Sequence, residues 1–523
     1  MRLRQFFFLV FALVFVLVAN AQHPAALRAG TTLRQLAEQR GLKIGGAINS
    51  NCLYNDATSI YCEGGYDARY GETVAREFNM TTPEFEMSFT FLQPSQNNYT
   101  FDLADKVVTF AENNDMEIRG HALVYHRNDI PILLPDWLRT GSWTRSEAMD
   151  ILEDHITTVV DYYDGHVETW NVVNEAFDDN GSGTLRNNFW REEIGDDYIE
   201  KAFQWAHNAN PNAKLFYNDY GIAGLNAKSD AVYAMVEDFK QRGIPIDGVG
   251  FQMHVWTGDY PDKADIDLTD MAANIERFEA LGVEVHITEM DTRLRQSTGE
   301  APNPYYGNAT APGALALQAQ IYGDVLTVCL QQPACTSFTM WGFSDKVSWI
   351  YDWIGVPYPQ EAPLIFDTEY NPKPAYDALL AAFGDIHEPN DMWTQATLLT
   401  VGKTQTHSIM PIADKDWLRF TLNQQSGIVL ETAGPSSTDD TQIWLYDNQL
   451  NWLAQNDDSN GQNHYSKIVL DCNIFPLYAG TYYVKVEEFS NAQTIDAYTI
   501  KVQATPCANS SAYQTFIPII VKP

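Results

Sequence analysis

Between residues 42 and 384 the chain repeats one pattern eight times: an apolar segment of strand length is followed by an amphipathic segment of helix length. The strand segments begin at Leu42, Met80, Met116, Val167, Ala213, Ile246, Val283 and Cys335. The clearest helical segments, with apolar residues three and four positions apart, are 146–161, 229–241, 272–281 and 315–331. Strands that alternate with helices pair in parallel through right-handed crossovers. Eight repeats therefore predict an α/β fold, a closed (β/α)8 TIM barrel.

An open doubly wound sheet is the alternative fold, but no GxGxxG or GxxxxGK[ST] motif follows any strand. After Gly384 the helical period ends, and short alternating strands are predicted at 417–422, 442–447, 481–488 and 497–502. Turn-rich stretches separate them, which predicts a small all-β sandwich.

The N-terminus has the pattern of a secretory signal peptide. Arg2 and Arg4 precede an apolar run over 6–18, and Ala19-Asn20-Ala21 is a small-x-small cleavage site. The run is too short for a confident membrane span, and no later span is predicted. The predicted organisation is a signal peptide at 1–21, a catalytic barrel at 22–385, a β-sandwich accessory domain at 386–507 and a tail at 508–523. We expect a secreted, extracellular protein, which can associate with a cell surface.

Export places the six cysteines where disulfides persist. Six cysteines allow 15 connectivities, and proximity in sequence favours one of them. Its pairs are Cys52 with Cys62, Cys329 with Cys335, and Cys472 with Cys507. None stands in a CxxC spacing, so we expect structural disulfides, no metal and no cofactor.

The charge balance restricts the partners. Lys and Arg number 33 against 68 Asp and Glu, a net charge of −35, whereas nucleic-acid binding depends on basic residues that displace counterions. A neutral polysaccharide is compatible with this charge. The 13 Trp, 27 Tyr and 26 Phe residues are a high aromatic content; core packing accounts for most of such rings, and stacking on the apolar faces of sugars is one reason for exposed ones. We expect a monomer that binds a polysaccharide, with no nucleic acid and no membrane span.

Polar residues stand at the C-terminal ends of seven of the eight predicted strands. They are Glu84, Glu86, His121, Asn174, Glu175, Asn218, Asp219, Gln252, His254, Glu289, Asp291 and Trp341. Barrels of this kind build their active sites at that end. The sequence therefore predicts an active site there.

Two segments carry the chemistry, WNVVNEA at 170–176 and VHITEMD at 285–291. They place Glu175 and Glu289 at the ends of the fourth and seventh strands. Glycoside cleavage needs such a pair, one carboxyl protonated to act on the leaving oxygen and the other ionised. The distance between the carboxyls decides between retention and inversion, and the residues alone leave that open.

Residues from about 32 to 384 resemble the family-10 glycoside hydrolases, typically secreted endo-β-1,4-xylanases. The resemblance runs through RGHALVYH, WNVVNEA, NDY, GVGFQMH, ITEMD and MWGFSDKVSW. It implies cleavage of xylan by a retaining double displacement, with Glu175 as acid/base and Glu289 as nucleophile. It further implies that Asn174 binds the sugar 2-hydroxyl, that His254 keeps Glu289 ionised, and that Asp291 orients His254. The implied substrate-binding residues also include Glu84, His121, Gln252, Trp341 and Trp349.

The sequence departs from the family on the glycone side. Where the family usually has TPENEMKW, this chain reads TPEFEMSF, so Phe85, Ser88 and Phe89 replace Asn, Lys and Trp. Tyr125 stands where Trp is usual, and Asn171 replaces the common Asp. These changes remove two hydrogen-bonding groups, which makes a substituted xylan or another β-1,4-glycan the alternative substrate.

Two other functions remain as alternatives. A metal-dependent hydrolase would use His121, His126, His254 and His286, but no HxH or HExxH occurs. A non-catalytic carbohydrate-binding protein would not need the glutamate pair.

The predicted sandwich resembles the bacterial pre-peptidase C-terminal domain through EPND, DKDWLRF, LYDNQLNWLAQNDDSN and AGTYYVKVEE. The resemblance implies an accessory module for surface attachment or polysaccharide contact. Asp416, Asp457 and Asp458 are candidate Ca²⁺ ligands, although solvated turn residues are the favoured interpretation.

Overall fold

The structure, a computed structural model, describes most of the chain from residue 32 to residue 507. The described residues are 32–126, 133–179, 181–257, 267–294, 312–354, 361–384, 387, 390–409, 414–434, 439–459, 464–491, 493 and 495–507. The predicted signal peptide at 1–21 and the tail at 508–523 lie outside them.

The eight predicted strands of the first region are confirmed and form a closed parallel barrel. The strands are β1 (Lys43–Ile48), β2 (Met80–Pro83), β3 (Glu117–Tyr125), β4 (Thr169–Asn174), β5 (Lys214–Asp219), β6 (Gly248–Phe251), β7 (His254–Trp256), β8 (Glu284–Arg293) and β9 (Cys335–Met340). Pairing runs from β1 to β6 in chain order, then through β8 and β9 back to β1. The sixth strand is interrupted, because Met253 has a left-handed φ of 64°, and its continuation β7 pairs only with β8.

The helices of this region follow the predicted periods. They are α1 (Leu33–Arg40), α2 (Ser50–Leu53), α3 (Ala68–Glu77), α4 (Phe89–Leu92), α5 (Asp102–Asn113), α6 (Asp136–Arg139), α7 (Arg145–Tyr162), α8 (Phe189–Glu193), α9 (Tyr198–Ala209), α10 (Ala227–Arg242), α11 (Leu268–Ala280), α12 (Pro312–Gln331), α13 (Trp349–Ile354) and α14 (Pro374–Gly384). α10 extends beyond the predicted 229–241 because Asn226 caps its first turn and Gly243, at φ 71°, ends it.

The segment Gly313–Gln331 of α12 is long and apolar enough to cross a membrane, which the sequence did not lead us to expect. Half of its most apolar window is buried, and it packs against α14 and the barrel strands β8 and β9. The core helix of a soluble domain can be equally long and apolar.

The barrel strands are buried along almost their whole length. β4 is buried at all six positions, and β1 at five of six, as expected when helices cover the outside of a parallel sheet. Polar side chains at the C-terminal strand ends can then meet in one place.

The C-terminal region contains two β-sheets. Its strands are β10 (Thr397–Leu398), β11 (Thr404–Ile409), β12 (Asp416–Leu422), β13 (Ser426–Ala433), β14 (Thr441–Tyr446), β15 (Trp452–Asn456), β16 (Lys467–Leu470), β17 (Gly480–Glu488) and β18 (Ile495–Pro506). One sheet is ordered β10-β12-β17-β14-β15 and the other β11-β18-β13-β16. Alternate residues of both sheets form one hydrophobic core, which shares no described residue with the core of the barrel.

The three predicted disulfides are present, Cys52–Cys62, Cys329–Cys335 and Cys472–Cys507. Asp416 does not behave as a surface calcium ligand. It is fully buried and accepts hydrogen bonds from Tyr498 at 2.6 Å and Asn390 at 2.9 Å, so its carboxylate belongs to the sandwich core.

Candidate active site

The two predicted glutamates lie at the C-terminal end of the barrel. Glu175 follows β4 directly and has a left-handed φ of 56°, an unfavourable conformation for a residue other than glycine. Such strain is concentrated where function fixes the direction of a side chain. Glu289 lies within β8. Glu175 is 7% exposed and Glu289 4%.

Three side chains donate hydrogen bonds to one oxygen of Glu175. Tyr125 Oη lies 2.8 Å from Glu175 Oε1, Gln252 Nε2 3.1 Å and Asn174 Nδ2 3.2 Å. Burial raises the pKa of Glu175 to about 7, and the charges of Asp219 and Glu289 act in the same direction. The carboxyl is therefore half protonated near neutral pH, as a general acid requires.

Glu289 is held ionised by its neighbours. Asn218 Nδ2 donates to Glu289 Oε1 at 2.6 Å, and His254 Nε2 lies 3.2 Å from Oε2. Burial alone would raise the pKa of Glu289, but the hydrogen bond and charge of His254 outweigh it, so this pKa lies below the usual range. The two carboxyls of one site thus have pKa values shifted in opposite directions.

His254 joins Glu289 to a buried aspartate. Its Nδ1 lies 2.8 Å from Asp291 Oδ2, and Trp349 Nε1 donates to the same oxygen at 2.8 Å. Burial would lower the pKa of His254, but the charges of Asp291 and Glu289 raise it to about 10. His254 is therefore a cation at neutral pH, placed between two carboxylates.

Amide side chains connect the two glutamates. Asn218 donates to Asn174 Oδ1 at 2.8 Å as well as to Glu289, and Gln252 donates to both Asn174 and Glu175. Gly250 makes this arrangement possible, because a Cβ there would lie 2.1 Å from Asn218 Oδ1.

His121 completes the floor of the site. Its Nδ1 lies 4.0 Å from Glu289 Oε1 and 2.9 Å from Asn171 Nδ2. Burial lowers the pKa of His121, so the ring is neutral and Nδ1 accepts from the amide. The Trp341 ring packs edge-on against His121, with centroids 4.9 Å apart.

A small pocket lies beside His121. Its lining residues are Glu84, Phe85, Ser88, Phe89, His121, Ala122, Tyr125 and Leu133. Phe85 packs against Phe91 with centroids 5.3 Å apart, and Phe89 stacks on His155 at 3.6 Å. On this side of the site, the Phe85 ring stands where the resemblance leads one to expect an amide, and the Ser88 hydroxyl stands where it leads one to expect an ammonium group.

All the predicted site residues converge on this end of the barrel, and their individual roles remain predictions. Sequence reasoning missed the contacts of Tyr125 and Asn218 with the glutamates. It also missed Lys228, which lies 2.7 Å from the buried Asp219. Tyr125 and Asn218 were visible near predicted strand ends, but their partners were not; Lys228 lies in the first turn of α10, where nothing in the sequence points to Asp219.

The histidines of the metal-hydrolase alternative do not form one cluster. His286 packs against Phe216 at 4.1 Å and contacts Arg119 and Glu284, whereas His121 and His254 approach Glu289. Among the described residues, the one group of three donors close enough to share an ion is Asp440, Asp458 and His464 in the C-terminal region. The barrel end holds two carboxyl groups, Glu175, which is half protonated near neutral pH, and Glu289, which is ionised. This pair suits acid-assisted displacement at an acetal carbon.

Comparison with known proteins gives one consistent result. The model of the family described as "Glycosyl hydrolase family 10" matches residues 32–382. Endo-1,4-beta-xylanase B of Thermotoga neapolitana is 41% identical over 350 residues, which is 66% of this chain and 90% of that protein. The crystal structure of native xylanase 10B from Thermotoga maritima covers 68% of this chain and 98% of its own, with 40% identity and a TM-score of 0.58. The xylanase 10B of Thermotoga petrophila RKU-1, solved in complex with xylobiose, covers the same shares with 38% identity and a TM-score of 0.58.

Proposed function

We infer the function from this family: the chain belongs to glycosyl hydrolase family 10, and it is an endo-acting β-1,4-xylanase that cleaves xylan with retention. The observation that carries the assignment is the pair of buried glutamates with opposite pKa shifts, Glu175 near 7 and Glu289 below its usual range.

The reaction proceeds in two displacements. Glu175 gives its proton to the glycosidic oxygen while a Glu289 oxygen attacks the anomeric carbon, so that the carbon–oxygen bond breaks and a glycosyl ester forms. Glu175, now a carboxylate, takes a proton from water, which attacks the same carbon and releases Glu289. Two inversions give net retention.

The surrounding residues support both steps. Asn174 is placed next to Glu175 and held by Asn218 and Gln252, where its amide can reach the 2-hydroxyl of the reacting sugar. His254 keeps Glu289 ionised, and Asp291 orients His254. Glu84, His121, Trp341 and Trp349 line the site around the cleaved bond.

The finer assignments rest on sequence alone. Residues 1–21 direct secretion, and the C-terminal sheets form an accessory domain of the pre-peptidase C-terminal kind. On the glycone side, Phe85 and Ser88 favour a substituted xylan over the unsubstituted chain.

The acid/base assignment is tested with Glu175→Ala. Because general acid catalysis is worth about 10²–10⁴-fold, xylan hydrolysis should fall by that order while the barrel stays folded. Azide should restore turnover of an aryl xylobioside with a good leaving group and give the β-azide, since only the proton transfers are missing.

Glu153→Ala, a change on the exposed face of α7, is the matched control and should behave as wild type. Glu289→Ala should be inactive and should give no β-azide. Retention of most xylanase activity by Glu175→Ala contradicts the assignment.

A further inference from the structure

One sheet of the C-terminal region carries aromatic rings on its outer face. The sheet is ordered β10-β12-β17-β14-β15, and alternate residues of each strand point away from the core. Six rings lie on this face or at its edge and are called the aromatic platform: Trp393, Trp417, Trp444, Tyr446, Trp452 and Tyr483.

One row of the platform crosses three strands. Trp417 of β12 lies opposite Lys485 of β17, which lies opposite Trp444 of β14. The ammonium group of Lys485 sits 3.7 Å from the centre of the Trp444 ring, a cation–π contact. Two strand spacings of about 4.8 Å each put the two indoles about 10 Å apart across the sheet.

A second row lies beside the first. Arg419 pairs with Tyr483, Tyr483 with Tyr446, and Tyr446 with Trp452. The Tyr446 ring also packs against Trp417 of the first row at 5.3 Å, with 30° between the ring planes. The two rows therefore form one continuous surface of rings.

Trp393 closes the edge of this surface, with its ring 5.9 Å from that of Tyr483. Trp393 is 45% exposed and Trp452 49%. Among the described residues, the hydrophobic core of the region and the side chains packed against it include none of the six rings. Core packing therefore does not explain them.

The outer face of the other sheet shows that strand formation does not explain them either. Its outward positions in β11, β13, β16 and β18 carry aliphatic, charged or amide side chains, namely Thr406, Val429, Glu431, Lys467, Val469, Thr499, Lys501 and Gln503. Both sheets need β-forming residues equally, but only one presents rings. Trp393 and Trp452 are exposed and the other four rings are half-buried, and a partly exposed apolar surface of this kind favours a binding role.

We propose that the aromatic platform binds chains of β-1,4-xylan, the substrate proposed for the barrel of the same protein. A sugar chain presents apolar C–H faces, which stack on rings, and hydroxyl edges, which need donors and acceptors. Arg419, Thr421 and Thr481 supply such groups between the rings, and the hydroxyls of the two threonines lie 3.2 Å apart.

The charge of the platform separates this ligand from others. The chain has a net charge of −35. On this face Arg419 is exposed, whereas Lys485 is paired with Glu487 at 3.1 Å. A neutral xylan backbone is not repelled by this charge, whereas an anionic membrane is repelled by the protein as a whole. Binding of the platform to an insoluble xylan would keep the barrel at high local concentration over its substrate.

The test uses the full chain carrying Glu289→Gln, so that the polysaccharide is not digested. Binding to insoluble glucuronoxylan is measured by depletion for this protein and for the same chain with Trp417→Ala and Trp444→Ala. We expect the double change to weaken binding about tenfold, as loss of aromatic anchors does. Trp417→Phe with Trp444→Phe should keep most of the binding, and Val469→Ala on the opposite sheet, 59% exposed, should keep all of it.

Each result has one interpretation. Equal binding by the double alanine variant, with unchanged far-ultraviolet circular dichroism, overturns the proposal. It is also overturned if the double change breaks a dimer but leaves xylan binding as it was. Hydrolysis of soluble xylan is measured separately in chains with an intact Glu289. If hydrolysis is found but platform-dependent binding is not, this inference fails and the proposed function stands. If binding depends on the platform but no β-1,4-glycan is hydrolysed, the platform proposal stands and the proposed function fails.

Discussion

At the scale of single residues, Tyr125 is the side chain whose contact distinguishes this site. Its hydroxyl donates to Glu175 at 2.8 Å, in a position where the resemblance leads one to expect an indole. Asn174, Gln252 and His126 also approach this carboxyl, His126 with Nδ1 3.7 Å from Oε2. A hydrogen bond to the ionised form of a carboxyl lowers its pKa, and Tyr125 has this effect on Glu175.

Tyr125→Phe should therefore raise the pKa of Glu175 above 7. Glycosylation needs Glu175 protonated, so the alkaline limb of the kcat/KM profile should move to higher pH by about half to one unit. Tyr99→Phe removes a similar tyrosine–carboxylate contact, 2.9 Å to Asp154, on the outside of the barrel. It should leave the profile in place, and an unmoved limb in Tyr125→Phe would show that the hydroxyl does not act on Glu175.

Asp291→Asn should move the acid limb instead. Without this carboxylate the pKa of His254 falls from about 10, and His254 loses its charge near neutral pH. The pKa of Glu289 then rises, because its main stabilising neighbour is neutral. Activity at low pH should be lost, so that the acid limb of the pH–rate profile moves to higher pH. The profile is measured on an aryl xylobioside. If the acid limb stays where it is, His254 is not what keeps Glu289 ionised.

The residue scale also shows what sequence can and cannot provide. Glu175 and Glu289 could be predicted because each follows an apolar run in a recognisable motif, although β8 continues past Glu289 to Arg293. The contact of Tyr125 could not be predicted, since a tyrosine four residues after His121 has no visible partner until β3 and β4 are paired. Asn218 was recognised as a polar strand end, but its bridge to Glu289 spans 71 residues of sequence.

At the scale of elements, the turn between β2 and α4 carries the residues that the resemblance places on the glycone side. It places Phe85 and Ser88 in the wall of the pocket beside Glu84 and His121. Each missing hydrogen bond forfeits about 0.5–1.5 kcal/mol, and more where a charge is involved. Binding energy remote from the cleaved bond also positions the reacting sugar, so turnover as well as affinity should suffer on plain xylan.

Phe85→Asn combined with Ser88→Lys should therefore raise kcat/KM on xylotetraose. A product panel over xylan, arabinoxylan, glucuronoxylan, mixed-linkage glucan and cellulose gives the control for specificity. The interpretation fails if unsubstituted xylan is the best substrate by a wide margin and the double change brings no gain.

Most elements were predictable because their signals are local. The eight barrel strands and four helices appear where the apolar periods place them. The break between β6 and β7 was not predictable. It follows from the left-handed backbone of Met253, and no glycine marks that position. In the C-terminal region, five strands were missed: β10, β11, β13, β15 and β16. In β13 and β16, part of the strand is exposed and apolar residues are mixed with charged ones.

At the scale of the whole molecule, two hydrophobic cores occur in succession along the chain. The first includes residues from Leu33 to Phe383 and the second from Leu399 to Val502. Ending the chain at Asp385 leaves the first core complete, so the truncated protein should be soluble and should hydrolyse soluble xylo-oligosaccharides as the full chain does. Collapse of that turnover would mean that the C-terminal region contributes to the site.

The central claim, a retaining displacement in which Glu289 is the nucleophile, is tested most directly by trapping the glycosyl ester. A 2-deoxy-2-fluoro-xylobioside with a good leaving group slows the release step more than its formation, so the intermediate accumulates. Mass spectrometry of the digested protein should find one sugar label per chain, on the peptide that contains residues 284–293 and at Glu289. A label on another carboxylate, or complete turnover to the α-anomer with no labelled protein, would contradict the account.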